Sequence, residues 1–404
     1  MEKQIQILTM ITESWGRVDL RPLLQTLVNT PIRGTRELKK MGKQEKERLN
    51  QILIHHLNTI HETFQVLDQS PPSSLNKVSW DDVVKMGEQL YKQATTVGML
   101  WSGEGPDAKS LEESMGSYSN LLQGFLLLSH GSMIGAGTTL SSCIHASVKQ
   151  VIDCSFMLLK ESVASYGNSS KAHKLSIPQI VGTVWEACSA LKKTPGTNIT
   201  AIGRAMTQIA VSVKDVHREM KELKPASSDP SAEISDKVSK PENDTHDSGN
   251  SSDEELGSDL SPEEMKVTEL AIDVVSETLS TIKETIRSIT GLLKNAQTPT
   301  ESKQMVDSLE RLLTICRNMG LQIDEIGACL YPPQEVSAIK TASEKMMSFV
   351  GEMQVELENI KGSSDAFVHA SNSLMSSLRQ LESGLGCSSD DELASEMKNL
   401  DVDG

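Results

Sequence analysis

The side chains best suited to chemistry in this chain are few, and their spacing is poor for it. His55, His56 and His61 fall within seven residues of one another. A helix turns about 100° per residue, so His56 and His61 would stand about 140° apart, too far round to share one metal ion. Solvated or capped imidazoles are the expectation. The run His130-Gly-Ser-Met-Ile-Gly-Ala-Gly137 is glycine-rich. It lacks the Lys-Ser/Thr pair of a phosphate-binding loop and follows no strand, so it reads as a helix break. The six cysteines (Cys143, Cys154, Cys188, Cys316, Cys329 and Cys387) include no Cys-x-x-Cys pair. Scattered thiols of this kind fit buried side chains in a reducing compartment, not a disulfide framework or a zinc site. No Gly-x-Ser-x-Gly, His-Glu-x-x-His or paired-carboxylate pattern sits on a suitable scaffold. The expectation is therefore no enzyme, no catalytic residue, no cofactor and no metal.

Serines carry the one covalent chemistry that the spacing supports. Ser251 and Ser252 are followed three residues later by Glu254 and Glu255, the pattern of acid-directed phosphorylation. Ser261-Pro262 fits a proline-directed kinase and opens a helix, where a phosphate is favoured by the helix dipole.

The elements that would position these residues are helices. The chain has 404 residues, 37% hydrophobic and only 3% aromatic, with 18 methionines, which suits helix bundles better than sheets. A net charge of −16 and a pI near 5.1 argue against direct DNA binding and against binding an anionic membrane. The most apolar stretch, Leu121 to Leu128, is too short to span a bilayer, so a soluble intracellular protein is expected.

Residues Pro225 to Glu264 hold 12 acids, 10 serines, 4 prolines and only 2 lysines. Such a stretch cannot bury enough apolar surface to offset the entropy of ordering it. The resulting plan is all-α: two up-and-down helix bundles joined by a disordered acidic linker. Its parts are a poorly defined extension (1–43), an N-terminal bundle (44–224), the Ser-rich linker (225–261), a C-terminal four-helix bundle (262–384) and a loose acidic tail (385–404). Six helices are expected in the first bundle. The fifth follows Pro178, and the sixth starts near an N-cap at Asn198. The fourth offers Cys143, Ala146, Val151, Phe156 and Leu159 to the core.

The sixth helix carries Ile202, Met206, Ile209, Val213, Val216 and Met220 in alternating steps of four and three, the seam of a packed bundle. Ser261-Pro262-Glu263-Glu264 is a strong helix start, with a Ser cap, Pro at the first position and acids in the first turn. Behind it Ile272, Val275, Leu279, Ile282, Ile286, Ile289 and Leu293 form a coiled-coil-like seam. The spacing predicts bundle core first, and the same pattern would equally serve a homodimer face. Tyr331-Pro332-Pro333 reads as a connector, because Pro332 drives Tyr331 out of helical geometry.

Two passages go further. Val184-Trp185-Glu-Ala187-Cys188-Ser-Ala-Leu191, followed by Val213-Lys-Asp-Val-His-Arg-Glu-Met220, resembles the cyclin-D-binding protein family, described as cyclin-D-interacting and helix-loop-helix-like. Ile326-Gly-Ala-Cys-Leu-Tyr331-Pro332-Pro333 is similar to that family's Tyr-Pro-Pro passage, and the acidic stretch falls in the same place. The resemblance implies an all-helical adaptor with bundles akin to those of talin and vinculin. It implies a D-type cyclin or a helix-loop-helix protein as partner, held by sequestration so that cell-cycle progression is restrained. Nuclear and cytoplasmic residence and no catalytic residues follow from the same resemblance. The alternative is a talin/vinculin-like cytoskeletal adaptor.

Overall fold

Apolar residues at helical spacing become helix throughout the computed structural model, which describes residues 38–69, 77–101, 107–167, 171–225, 259–295 and 302–400. Ser251 and Ser252 lie outside the described residues. The fold is all-α apart from one two-residue bridge, and the chain divides into two units after Gly196.

The first unit holds α1 (Leu38–Gln69), α2 (Trp80–Trp101), α3 (Ala108–Ser132), α4 (Thr138–Ser165) and α5 (Lys171–Ala190), with a short 3₁₀ turn at Leu191–Lys193. Its helices close a ring in the order α1, α3, α2, α5, α4. Ends are set by polar caps. The Ser79 hydroxyl accepts from the Asp82 N–H at 3.2 Å, and Asp107 accepts from the Ser110 N–H at 2.7 Å. Leu90, Leu122, Phe125, Leu158 and Val184 are buried in the core. Tyr118 is buried with them, and its hydroxyl lies 3.1 Å from Ser155 Oγ, which satisfies that buried hydroxyl.

Two local expectations change here. Helix α5 does not wait for Pro178; it begins at Lys171 and carries Pro178 inside it, at an exposed position. Helix α4 buries Ile144, Val148, Ile152 and Leu158, and leaves Ala146 exposed and Cys143 and Phe156 half-buried. Val151 and Leu159 are buried with them as expected, and Phe156 falls at the edge of that stripe.

The second unit holds α6 (Asn198–Met220), α7 (Pro262–Asn295), α8 (Lys303–Cys329), α9 (Val336–Asn359) and α10 (Asp365–Leu400). The N-cap of α6 is Thr197, not Asn198. Thr197 and Thr200 exchange backbone and side-chain hydrogen bonds in a capping box, and Asn198 is buried. The ring order is α6, α7, α10, α9, α8, closing on α6. Helix α6 lies between α7 and α8, which barely touch each other. At Gly327 a Cβ would stand 2.9 Å from Val216 Cγ1, so the bare glycine backbone lets α6 approach α8.

This placement corrects the domain plan. Residues 198–220 belong to the second unit, so each unit has five described helices instead of six and four. An amphipathic seam states that a helix will be buried; it does not state against which neighbours. The acidic segment does lie between helical parts, but both of those parts are in the second unit. Lys224–Pro225 (β1) pairs in parallel with Asp259–Leu260 (β2), and the flanking Leu223 and Leu260 are buried. The chain thus leaves and re-enters one bundle at one place. The acidic tail is corrected too, because α10 continues as helix to Leu400.

Candidate functional site

The start of α7 is where the serine and the Tyr-Pro-Pro passage meet. Ser261 Oγ accepts from the Glu264 N–H at 3.2 Å, and the Ser261 N–H donates to Glu264 Oε2 at 2.9 Å. That reciprocal pair satisfies two donors which a helix start otherwise leaves unpaired. Gln334, the residue after Pro333, is stitched to the same turn. Its backbone N–H donates to Glu264 Oε1 at 3.3 Å. Its Nε2 lies 3.0 Å from Glu264 O, 3.0 Å from Thr268 Oγ1 and 3.2 Å from Leu330 O. The Ser261 N–H, with Gln334 behind it, holds the Glu264 carboxyl below its ordinary pKa. The connector is thereby fixed, and Tyr331 stands 51% exposed beside it.

Along α7 the predicted seam faces the bundle's own core. Val275, Ile282 and Ile289 are fully buried, and Ile272, Leu279 and Ile286 are half-buried against the same core. Leu293 departs from it and is 41% exposed. The sequence reading missed the threonines that share this face. Thr268, Thr278, Thr281 and Thr285 are all fully buried. Each hydroxyl donates to a backbone carbonyl one turn earlier, so the side chain presents its methyl to the core as valine would. Thr281 also reaches Ala370 O at 3.3 Å, on α10. The spacing of three and four from Thr278 to Thr285 was a usable signal.

In the first unit the motif residues divide between core and surface. Val184, Ala187 and Cys188 are buried. Trp185 is half-buried, and its ring stacks on Tyr91 with centroids 5.3 Å apart and planes at 24°. The Trp185 Nε1–H donates to Thr95 Oγ1 at 3.0 Å, and Thr95 Oγ1 donates to the Tyr91 carbonyl at 2.9 Å. Tyr91, Thr95 and Met99 recur every four residues on one face of α2, with Tyr91 38% and Met99 71% exposed. Partly exposed, rigidly held tryptophan and tyrosine are the side chains that anchor protein interfaces. Sequence reasoning singled out Trp185 and passed over Tyr91, although the four-residue repeat was visible.

The remaining candidates are cysteines and histidines. Burial pushes the Cys188 and Cys316 thiols up to about 12, the opposite of an activated nucleophile. Burial lowers the pKa of His56, assisted by the charge of His55, and burial likewise lowers that of His61. Among the described residues no three His, Cys, Asp or Glu side chains are grouped to hold a metal ion. No described helix is long and apolar enough to cross a membrane.

Comparison with known proteins matches both halves of the sequence. Residues 82–226 match the profile of Grap2 and cyclin-D-interacting, N-terminal, and residues 241–355 match Grap2 and cyclin-D-interacting, C-terminal. A curated relative, Cyclin-D1-binding protein 1 homolog of Xenopus laevis, is 23% identical over 217 residues. The matched stretch covers 52% of this chain and 59% of that protein.

Proposed function

Because the chain belongs to the Grap2 and cyclin-D-interacting family, we propose that it is a non-enzymatic binding regulator whose partner is a D-type cyclin or a helix-loop-helix protein. The observation that carries this reading is the family match along both parts of the chain. The Xenopus relative's name gives a cyclin as the partner of that protein, and we carry the same class over here. Sequestration is the mechanism we infer: the partner is held against helix faces and cannot assemble elsewhere, which restrains the cell cycle. Residence in nucleus and cytoplasm is part of the same proposal.

The face we assign to the partner is the Tyr91–Trp185 stack with Met99. The Trp185 ring is held by its hydrogen bond to Thr95 and the Tyr91 ring is stacked on it, so little side-chain entropy is lost on binding. Phosphorylation at Ser251, Ser252 or Ser261 would tune the protein. At Ser261 a phosphate would take the place of the capping hydroxyl and meet the Glu264 carboxylate.

The test is capture of purified D-type cyclins and helix-loop-helix proteins by the intact chain, repeated with Tyr91→Ala. Loss of an interface anchor costs about 2 kcal/mol or more, so the variant should weaken capture by about thirtyfold with its helical content unchanged. No capture of either class by the intact chain would reject the proposal. Capture that is indifferent to Tyr91→Ala would move the site to another face.

A further inference from the structure

The acid-directed pattern that marks Ser251 and Ser252 recurs at Ser79. Ser79-Trp80-Asp81-Asp82 places acids two and three residues beyond the hydroxyl. A kinase that reads such a pattern needs two things from a folded substrate: an exposed acceptor, and a following turn that can leave its helix at small cost. Thr59, Ser110, Thr183, Ser212, Thr281 and Thr341 also have an acid three residues on, but all six lie inside helices. In each case the next residue is buried, as Leu111 is after Ser110 and Val184 after Thr183. Acceptor and acid cannot be drawn out together at these positions without opening a core.

Ser79 differs. It is exposed and stands before α2, outside the helix; Trp80 after it is half-buried and Asp81 is exposed. The Ser79 hydroxyl donates to Asp82 Oδ2 at 2.8 Å and accepts from the Asp82 N–H at 3.2 Å. Lys85 Nζ pairs with Asp82 Oδ1 at 2.8 Å. Lys85 and the Ser79 hydroxyl hold the Asp82 carboxyl below its ordinary pKa, so this acid is charged at neutral pH. A cap and an exposed ion pair are weak holds. Two longer-range bonds tie the segment to the unit, from the Val78 N–H to the Gly131 carbonyl at 3.2 Å and from the Trp80 Nε1–H to the Leu191 carbonyl at 3.1 Å. Val78 and Trp80 are both only half-buried, so releasing this turn empties no core position.

We propose that Ser79 is a phosphorylation site for an acid-directed serine/threonine kinase. Ser79 Oγ attacks the γ-phosphorus of a nucleoside triphosphate, and the bond from that phosphorus to the β–γ bridging oxygen breaks. The nucleoside diphosphate leaves with the electron pair, and the hydroxyl proton passes to a carboxylate of the kinase. The phosphorylated side chain can no longer donate to Asp82 Oδ2, and its charge stands beside that carboxylate. Lys85, already within reach of Asp82, is drawn between the two. The site is independent of the cyclin reading, because it rests on no feature of the Tyr91 face.

The experiment incubates the full chain with ATP and a purified acid-directed serine/threonine kinase, and locates the phosphate by tandem mass spectrometry of its peptides. Phosphate should appear at Ser79 and be absent from Ser110 and Thr183. Ser79→Ala should remove that phosphopeptide alone. Asp82→Asn, an exposed change that removes the charge three residues on, should slow modification of Ser79 about tenfold or more. An unmodified Ser79 in the full chain overturns the proposal, whatever happens at Ser251 and Ser252. Modification of Ser79 at the same rate in Asp82→Asn overturns it too, because the acid would then not be read. Phosphate at Ser110 as abundant as at Ser79 would show that a buried neighbour does not select between them, and would remove the ground on which Ser79 is chosen.

Discussion

Gln334 shows how one side chain can fix a junction whose parts lie far apart in sequence. It ties the connector after Pro333 to Glu264 and Thr268, residues 70 and 66 positions away. Gln334→Ala removes the Nε2 bonds to the Glu264 and Leu330 carbonyls and to Thr268 Oγ1. It should destabilise the second unit by about 1–3 kcal/mol. All four tryptophans lie at or before residue 185, so tryptophan fluorescence follows the first unit and should not change, while the far-ultraviolet circular dichroism melt should shift down. Glu264 makes the same junction sensitive to pH. The Ser261 N–H bond lowers its folded-state pKa below its ordinary value. The stabilisation is therefore complete above the ordinary carboxylate range and is lost as pH falls through the folded-state value. Glu264→Gln should flatten the acid side of the second unit's stability profile, read by urea unfolding from about pH 6 to about pH 3. An acid limb as steep as that of the natural chain would show that Glu264 contributes nothing. Ser261 and Glu264 were legible as a helix start because a capping box spans four consecutive residues. Gln334 was not, because its partners are assembled only by the fold.

At the scale of elements, α6 is the informative case. Its stripe of Ile202, Met206, Ile209, Val213, Val216 and Met220 was plain in the sequence; Ile202, Met206, Val213 and Met220 are buried, and Ile209 and Val216 are half-buried against the same core. What the stripe could not disclose is that α6 fills the gap between α7 and α8. Periodicity encodes one buried face per helix; choice of neighbour depends on shape, such as the bare backbone of Gly327 against Val216. Val213 is fully buried in the second unit's core. Val213→Asp places an unpaired carboxylate there and should cost about 4 kcal/mol or more. The circular dichroism transition of the second unit should collapse while the tryptophan transition of the first stays in place. A shift in both would return α6 to the first bundle. The threonine positions of α7 teach the converse. A polar residue type concealed a core face, since each hydroxyl is satisfied by a carbonyl of its own helix, with Thr281 also reaching Ala370 O.

For the molecule as a whole, the acidic stretch changes meaning once α6 is placed. Composition marked it as the break between two domains, and composition alone cannot distinguish a linker between domains from a loop inserted within one. Both of its ends are held in the second unit, by the Lys224–Asp259 bridge and by the buried Leu223 and Leu260. A single proteolytic cut within residues 226–258 should therefore leave two polypeptides that stay together. The upstream fragment ends with α6, whose Ile199, Ile202, Met206, Val213 and Met220 are buried in a core shared with α7 and α8. Burial of each such side chain is worth about 1.5–3 kcal/mol, so five of them hold the fragments firmly at micromolar concentration. Size-exclusion chromatography of the nicked protein should show one species of the intact size, which separates into two only in denaturant. Recombinant halves divided between residues 196 and 197 should instead elute as two independently folded proteins. Separation of the nicked fragments under native conditions would mean that α6 leaves the second bundle once the loop is cut, and that the loop closes the five-helix ring. Co-elution would assign the closure to the α6 seam and leave the acidic loop free for modification or binding without loss of the fold.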